Sequence, residues 1–347
     1  MNVDYIIVGQ GICGTLLSHF FEVKNISYVI IDKPQSNSSS KVASGVINPI
    51  TGRRFVRTWM IDEVLPFSIQ TYRAIETILE TEIIEEKPIL DFFLTMQMKN
   101  AFEQKLLTEE KYLSLEVEKN KYENYFNSSF GVGEINSSRL VNLQNLLPKW
   151  REKLLSKNKL LEIEFEIKQL HLKNNSIQYQ NIFASKIIFC DGVSSAQNKY
   201  FKHLPFALNK GEALIVEIPG LPQTQIYKNG ITIVPWIDNQ FWVGSSYEWN
   251  YNNNLPSLEF KTKVELQLKN WLKISFKIND HIASIRPTNI ERRPFVGFLQ
   301  NHPQIGILNG MGTKGCSLAP FFAYELVENI INKKQIHIEA DVNRFLQ

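Results

Sequence analysis

Hydrophobic and polar positions change rhythm several times along this chain, and each change marks an element. Ile6 to Val8 are a short β-branched apolar run that stops at a glycine, which predicts a buried parallel strand. Ile12 to Phe21 then take helical spacing with small residues in the first turn, and Tyr28 to Ile31 form a second buried strand. Strand, helix and strand in about thirty residues predict a βαβ unit. The polar run Pro34 to Lys41 reads as a loop. Asp62 to Thr81 are spaced as a helix, Lys87 to Met98 read as strand-like, and Asn100 to Asn127 are charged and partly helical. Ser137 to Leu155 predict an amphipathic helix capped by Ser137 or Ser138.

Strand patterns dominate from there. Leu161 to Ile167, Ser176 to Phe183 and Lys186 to Cys190 are candidates, the last halted by Asp191-Gly192. Gly211 to Ile218, Gly230 to Ile237 and Gln240 to Trp249 are strands with short turns between them, a meander that predicts an antiparallel sheet. A helix over Leu258 to Leu272 leads to a strand at Ile305 to Leu308, a glycine-rich turn and a closing helix.

Composition narrows the class. A chain of 347 residues has room for two domains, and a net charge of +3 gives no reason to expect nucleic acid or a membrane surface. No apolar run approaches the ~20 residues of a membrane helix, and the N-terminal apolar stretch is too short for a signal peptide. The three cysteines, Cys13, Cys190 and Cys316, are far apart, without disulfide or metal spacing, and the six histidines show no ligand spacing. The expectation is a reduced, cytoplasmic protein without a metal.

The sharpest chemical signal is Gly9-x-Gly11-x-x-Gly14, because it follows a predicted strand and opens a predicted helix. Gly9 allows a tight turn, Gly11 lets a pyrophosphate approach the backbone, and Gly14 lets helix and strand pack closely. The helix start offers unpaired N–H groups to phosphate. Asp32, ending the second strand, stands where a carboxylate accepts ribose hydroxyls. These residues predict a dinucleotide site without choosing between NAD and FAD.

Later blocks carry a resemblance. "SSSKVASGVINP", "IIFCDGVSS", "GITIVP…FWVGSSYE" and "IRPTNIERRPFVG…GILNGMGTKGCSLAP" make the chain similar, nearly end to end, to the FAD-dependent amino-acid and amine oxidoreductases of the D-amino acid oxidase, glycine oxidase and sarcosine oxidase type. "ASGVINP" and "GMGTKGCSLAP" look closest to the flavin domain of the enzyme that trims a carboxymethyl group from a modified tRNA wobble uridine. The resemblance implies dissociable, non-covalent FAD, since no cysteine lies in "ASIRPTNIERRP". It implies an α/β fold: a glutathione-reductase-like FAD domain from residues 1–85, 132–205 and 280–347, and an antiparallel cap from 86–131 and 206–279. Ser40 and Lys41 match the pyrophosphate loop, and Ser44, Gly45 and Val46 the segment beside the flavin ring. Ile167 matches a strand residue at the adenine, and Gly192 a turn beside the adenosine. Gly312, Thr313, Lys314 and Gly315 match the turn at the flavin N1–C2=O edge, where a helix start and a lysine suit the charge of reduced flavin. Ile12, Lys33 and Gly310 complete the expected cofactor set.

The chemistry so implied is hydride removal from a carbon next to nitrogen, giving an imine that hydrolyses. Arg286 matches an arginine that clamps a substrate carboxylate, against the plainer reading of an ion pair with Glu291. Tyr247 is placed to offer a hydroxyl, and Lys314 is the third catalytic candidate. Arg53, Arg54 and Arg57 read as a solvated face, and His19 as a packing or surface residue. Some relatives place a lysine, linked to oxygen use, where this chain has Trp242, so oxidase and dehydrogenase both stay open. The favoured substrate is a small amine or amino acid. The alternatives are the tRNA wobble-uridine reaction and a flavin-binding subunit without turnover.

Overall fold

A computed structural model describes residues 1–115, 121–127 and 130–345. Its centre is a parallel sheet in the order Leu160–Leu161, Tyr28–Ile31, Asn2–Val8, Ile182–Phe189 and His302–Asn309. Period-2 alternation divides its side chains between two cores. Ile7, Ile30 and Ile188 face a helical layer, while Ile6, Val29, Ile31 and Phe189 face the opposite layer. The helices Ile12–Val23, Ile61–Leu79, Leu143–Ser156 and Gly315–Asn332 form the first layer. The hairpins Leu170–Leu172/Ile177–Tyr179 and Phe295–Leu299/His302–Asn309 adjoin the same sheet. All five parallel strands point their C-terminal ends the same way, and in open α/β sheets that edge is where ligands bind.

A second, eight-stranded sheet runs Lys277–Arg286, Asn209–Glu217, Phe241–Gly244, Ile231–Pro235, Ile226–Asn229, Ile89–Phe92, Val132–Ile135, Leu113–Leu115. One face packs on the helix Leu258–Trp271 through Leu214, Val216, Ile233 and Val243. The other turns Ala213, Ile215, Val234 and Trp242 toward the helical layer of the first unit. This sheet includes Val132–Ile135 and the part of Lys277–Arg286 from residue 280 on, both from segments expected to fall in the FAD domain, so Arg286 ends a strand of the second sheet.

The predicted α/β character and most element positions agree with the structure; four local readings do not. Arg139–Val141 is a strand, pairing with Val46–Ile47 and Ile84–Glu86, and the next helix is capped by Asn142, whose side chain accepts from Asn145 N at 3.0 Å. Pairing partners from elsewhere in the chain overrode a helical pattern. Met96–Leu106 is a helix, capped by Thr95, and not a continuation of the strand. Leu161 to Ile167 pairs only at Leu160–Leu161 and ends in a 3-10 turn at Ile167–Gln169. Ser176 to Phe183 is a hairpin, turning at Gln180 with a left-handed φ of 51°.

Candidate active site

One cavity of about 410 Å³ runs along the strand ends and under the cap sheet. Of the expected residues, Gly9, Gly11, Ile12, Asp32, Lys33, Ser40, Lys41, Ser44, Gly45, Val46, Gly192, Gly312, Thr313, Gly315 and Arg286 line it. Segments more than two hundred residues apart therefore share one wall.

At one end the walls are backbone. A Cβ on Gly14 would stand 1.9 Å from the Gly9 carbonyl oxygen, and one on Gly9, itself at φ 96°, 2.6 Å from that of Cys190. Gly14 lies behind the lining and acts by letting helix and strand touch. The Ile12 amide, at the helix start, donates to Ser40 Oγ at 3.0 Å. Asp32 accepts from the Gln10 amide at 3.0 Å and from Arg151 at 2.7 Å, and Arg151 also reaches the Asp32 carbonyl and Gln10 Oε1. A carboxylate has about four lone-pair sites, so this pairing leaves capacity for a ribose hydroxyl. Lys33 pairs with Glu164 at the exposed rim. Ile167 does not line the cavity; Glu164 and Phe165, just before it, do.

Midway, Gly45 at φ 85° is pressed against Val141, whose carbonyl oxygen would be 2.0 Å from an added Cβ. Trp242 reaches from the cap to donate its indole N–H to the Val42 carbonyl at 3.0 Å. The position thus ties the second sheet to the Ser39–Val42 helix. The three cysteines, distant in sequence, all line this cavity as free, buried thiols, and burial pushes Cys13 and Cys316 up to about 12.

At the far end the walls are side chains. Strand register sets Arg286 opposite Asn209, and its guanidinium donates to Asn209 Oδ1 at 2.7 Å and to the Ser246 carbonyl at 3.2 Å. It lies flat over Gly211, where a Cβ would be 1.8 Å from Nη2. Among the described residues no carboxylate pairs with Arg286, and Glu291 pairs with Arg344 instead. Burial works against the charge of Arg286, with Tyr247 and Glu248 partly offsetting it. The Gly312 amide donates to the Pro287 carbonyl at 3.4 Å, so the turn expected at the flavin edge abuts the arginine segment.

Other expected residues stand apart. Tyr247 is 46% exposed, off the cavity, stacked under Arg286 and edge-on to Trp249. A strand end presents its residue to solvent as readily as to a cleft. Lys314 begins the closing helix but does not line the cavity; burial, then Arg293 and Arg292, lower its pKa. Gly310, at φ 75°, packs on Phe295 and sits just outside the wall. Arg53 and Arg54 are exposed, and Arg57 pairs with Asp62 and Glu109. His19 is buried between Phe20 and Trp150. Gln10, Arg151, Asp191 and Asn209 were not singled out from the sequence. For Asp191 a signal existed, in that an acidic residue ends the strand beside the glycine turn.

Residues 4–329 match the family described as FAD dependent oxidoreductase (DAO). The chain belongs to that family. Its cofactor is FAD, and it is an oxidoreductase. Glycine oxidase from Geobacillus kaustophilus superposes with a TM-score of 0.82 at 16% identity, over 99% of this chain and 98% of that one. Iminodiacetate oxidase from Chelativorans sp. BNC1 gives 0.77 at 16% identity, over 96% and 97%. L-proline dehydrogenase from P. horikoshii gives 0.78 at 14% identity, over 99% and 96%. At these identities the likeness is one of fold. The glycine cradle, the helix start and a lining that reaches from Asp32 to Arg286 fit FAD. Among the described residues no group of side chains could hold a metal, and no helix is long and apolar enough to cross a membrane.

Proposed function

We propose that the chain oxidises a small amino acid or secondary amine at the carbon next to nitrogen. One observation carries the reading: Arg286 is a part-buried guanidinium that has no carboxylate partner among the described residues, beside the Gly312 turn. A buried cation left unpaired is costly, and a substrate carboxylate would supply the missing charge through two parallel hydrogen bonds. That the named neighbours act on glycine, iminodiacetate and L-proline agrees with a small carboxylate-bearing amine.

Bound FAD supplies the hydride acceptor at N5. Arg286 fixes the position and rotation of the substrate carboxylate, so that the carbon–hydrogen bond to be broken points one way. The nitrogen lone pair forms the carbon–nitrogen double bond as the hydride leaves. Water then hydrolyses the imine to a carbonyl compound and an amine. Trp242 and the Ser39–Val42 helix close the wall between cap and cofactor segment and keep bulk water from that part of the cavity.

The test is an anaerobic visible spectrum of the FAD-loaded protein with glycine, sarcosine, proline and D-amino acids added singly. Bleaching of the flavin band by one of them is the expected result, and the rate of colour return in air then separates oxidase from dehydrogenase. Bound flavin that no member of the panel bleaches contradicts the proposal.

A further inference from the structure

Two carboxyl groups flank the glycine turn, and their surroundings differ. Asp32 ends the strand Tyr28–Ile31, and Asp191 stands two residues past the strand Ile182–Phe189. Both line the cavity. A Cβ built on Gly9 would be 3.0 Å from the Asp191 Cα, so Asp191 adjoins the turn whose amides and helix start suit a diphosphate. Asp32 accepts hydrogen bonds from Arg151 and the Gln10 main-chain amide. Among the described residues the side-chain partner of Asp191 is Ser195, whose hydroxyl donates to its Oδ1 and itself accepts from Asn309 Nδ2.

We propose that Asp191 meets the bound cofactor as a neutral acid, so that FAD binding takes up a proton. A diphosphate brings two negative charges to this wall, and like charges at close range in a part-buried site repel strongly. The acid form removes that repulsion and offers an O–H donor. Burial already raises Asp191 to about 6, with the Ser195 hydrogen bond pulling the other way. The other charged and titratable groups sharing the cavity are Cys13, Cys190, Cys316, Asp32, Lys33, Lys41, Glu164, Glu212 and Arg286. Among the described residues no cation pairs with Asp191.

The sign follows from linkage. The free protein holds the proton below about pH 6 and loses it above. A cofactor that binds the protonated form better has a flat Kd below that pH. Above it the Kd rises about tenfold per pH unit, until the acid titrates in the complex too. Between pH 6 and 9 nothing on FAD's diphosphate titrates to confuse the reading.

The experiment is calorimetric titration of apoprotein with FAD at pH 7.5 in buffers of different ionisation enthalpy, with fluorescence Kd values from pH 5.5 to 9. The expected result is uptake of about one proton, abolished in Asp191→Asn, whose Kd is flat and tighter than wild type at pH 8. Ser195→Ala removes the hydrogen bond to the ionised form and moves the onset upward by about one pH unit. It serves as an independent reading if Asp191→Asn folds poorly. Equal uptake in wild type and Asp191→Asn, or no uptake in wild type, overturns the proposal. So does weaker binding by Asp191→Asn at every pH, which would make Asp191 an ionised acceptor. The readout is FAD affinity and does not depend on the amine substrate.

Discussion

The two ends of the cavity are built from different materials. At the glycine-turn end, main chain meets main chain: Gly14 against Gly9, Gly9 against Cys190, and strand ends in parallel register. At the far end, groups from a cap sheet converge, with Arg286 and Asn209 delivered by strand pairing and the Ser246 carbonyl by the segment after a third strand. A backbone wall tolerates almost no added atom, whereas a side-chain wall can be retuned one residue at a time. Cofactor binding and substrate choice should therefore respond to mutation in different ways.

The largest effect is expected at Gly14→Val. Its β-carbon would fall 1.9 Å from a carbonyl oxygen that cannot move without shifting the first strand. Loss of bound FAD and about 3 kcal/mol of stability should follow, read from flavin stoichiometry and thermal unfolding. A valine variant that retained FAD would break the comparison.

Next comes Arg286→Met, with kcat/KM down by about 10²–10³ and FAD content unchanged. Asn209→Asp sharpens this. It would put a carboxylate 2.7 Å from the guanidinium and compete with substrate there, raising KM about tenfold with a smaller effect on kcat. Steady-state kinetics separates the two parameters.

Trp242→Phe keeps an aromatic ring but loses the pyrrole part of the indole and, with its N–H, the hydrogen bond to Val42. About 1 kcal/mol, or roughly fivefold weaker FAD binding, is expected. The smallest effect concerns the thiols. Burial pushes Cys13, Cys190 and Cys316 above their usual range, so at pH 8 all three should resist a thiol reagent in the native protein and react after unfolding.

The same contrast explains what the sequence disclosed. The βαβ unit and the Gly9–Gly14 turn were legible because their constraints are local: a buried strand, a tight turn and a close-packed helix leave a short contiguous pattern. Asp32 followed from its place at a strand end. Arg286 was reached only through resemblance, and its setting was not readable, because Asn209 and Ser246 come to it by register across two strand pairs. Tyr247 shows the limit from the other side. One residue along a strand end decides whether a side chain enters a cleft or faces water, and here it faces water. Arg151, on a helix surface more than a hundred residues from Asp32, carried no sequence mark of its partner. The strand Arg139–Val141 was hidden for a similar reason, since its partners lie in other segments.

The central claim is that one cavity holds FAD at its backbone end and a carboxylate-bearing amine at Arg286. Its most direct test is anaerobic flavin reduction by matched pairs, such as sarcosine against dimethylamine and proline against pyrrolidine. The account predicts that the carboxylate member of at least one pair bleaches the flavin, that its partner reduces it at least ~10²-fold more slowly, and that Arg286→Met removes the difference. Equal reduction within each pair, or discrimination that survives in Arg286→Met, would contradict it.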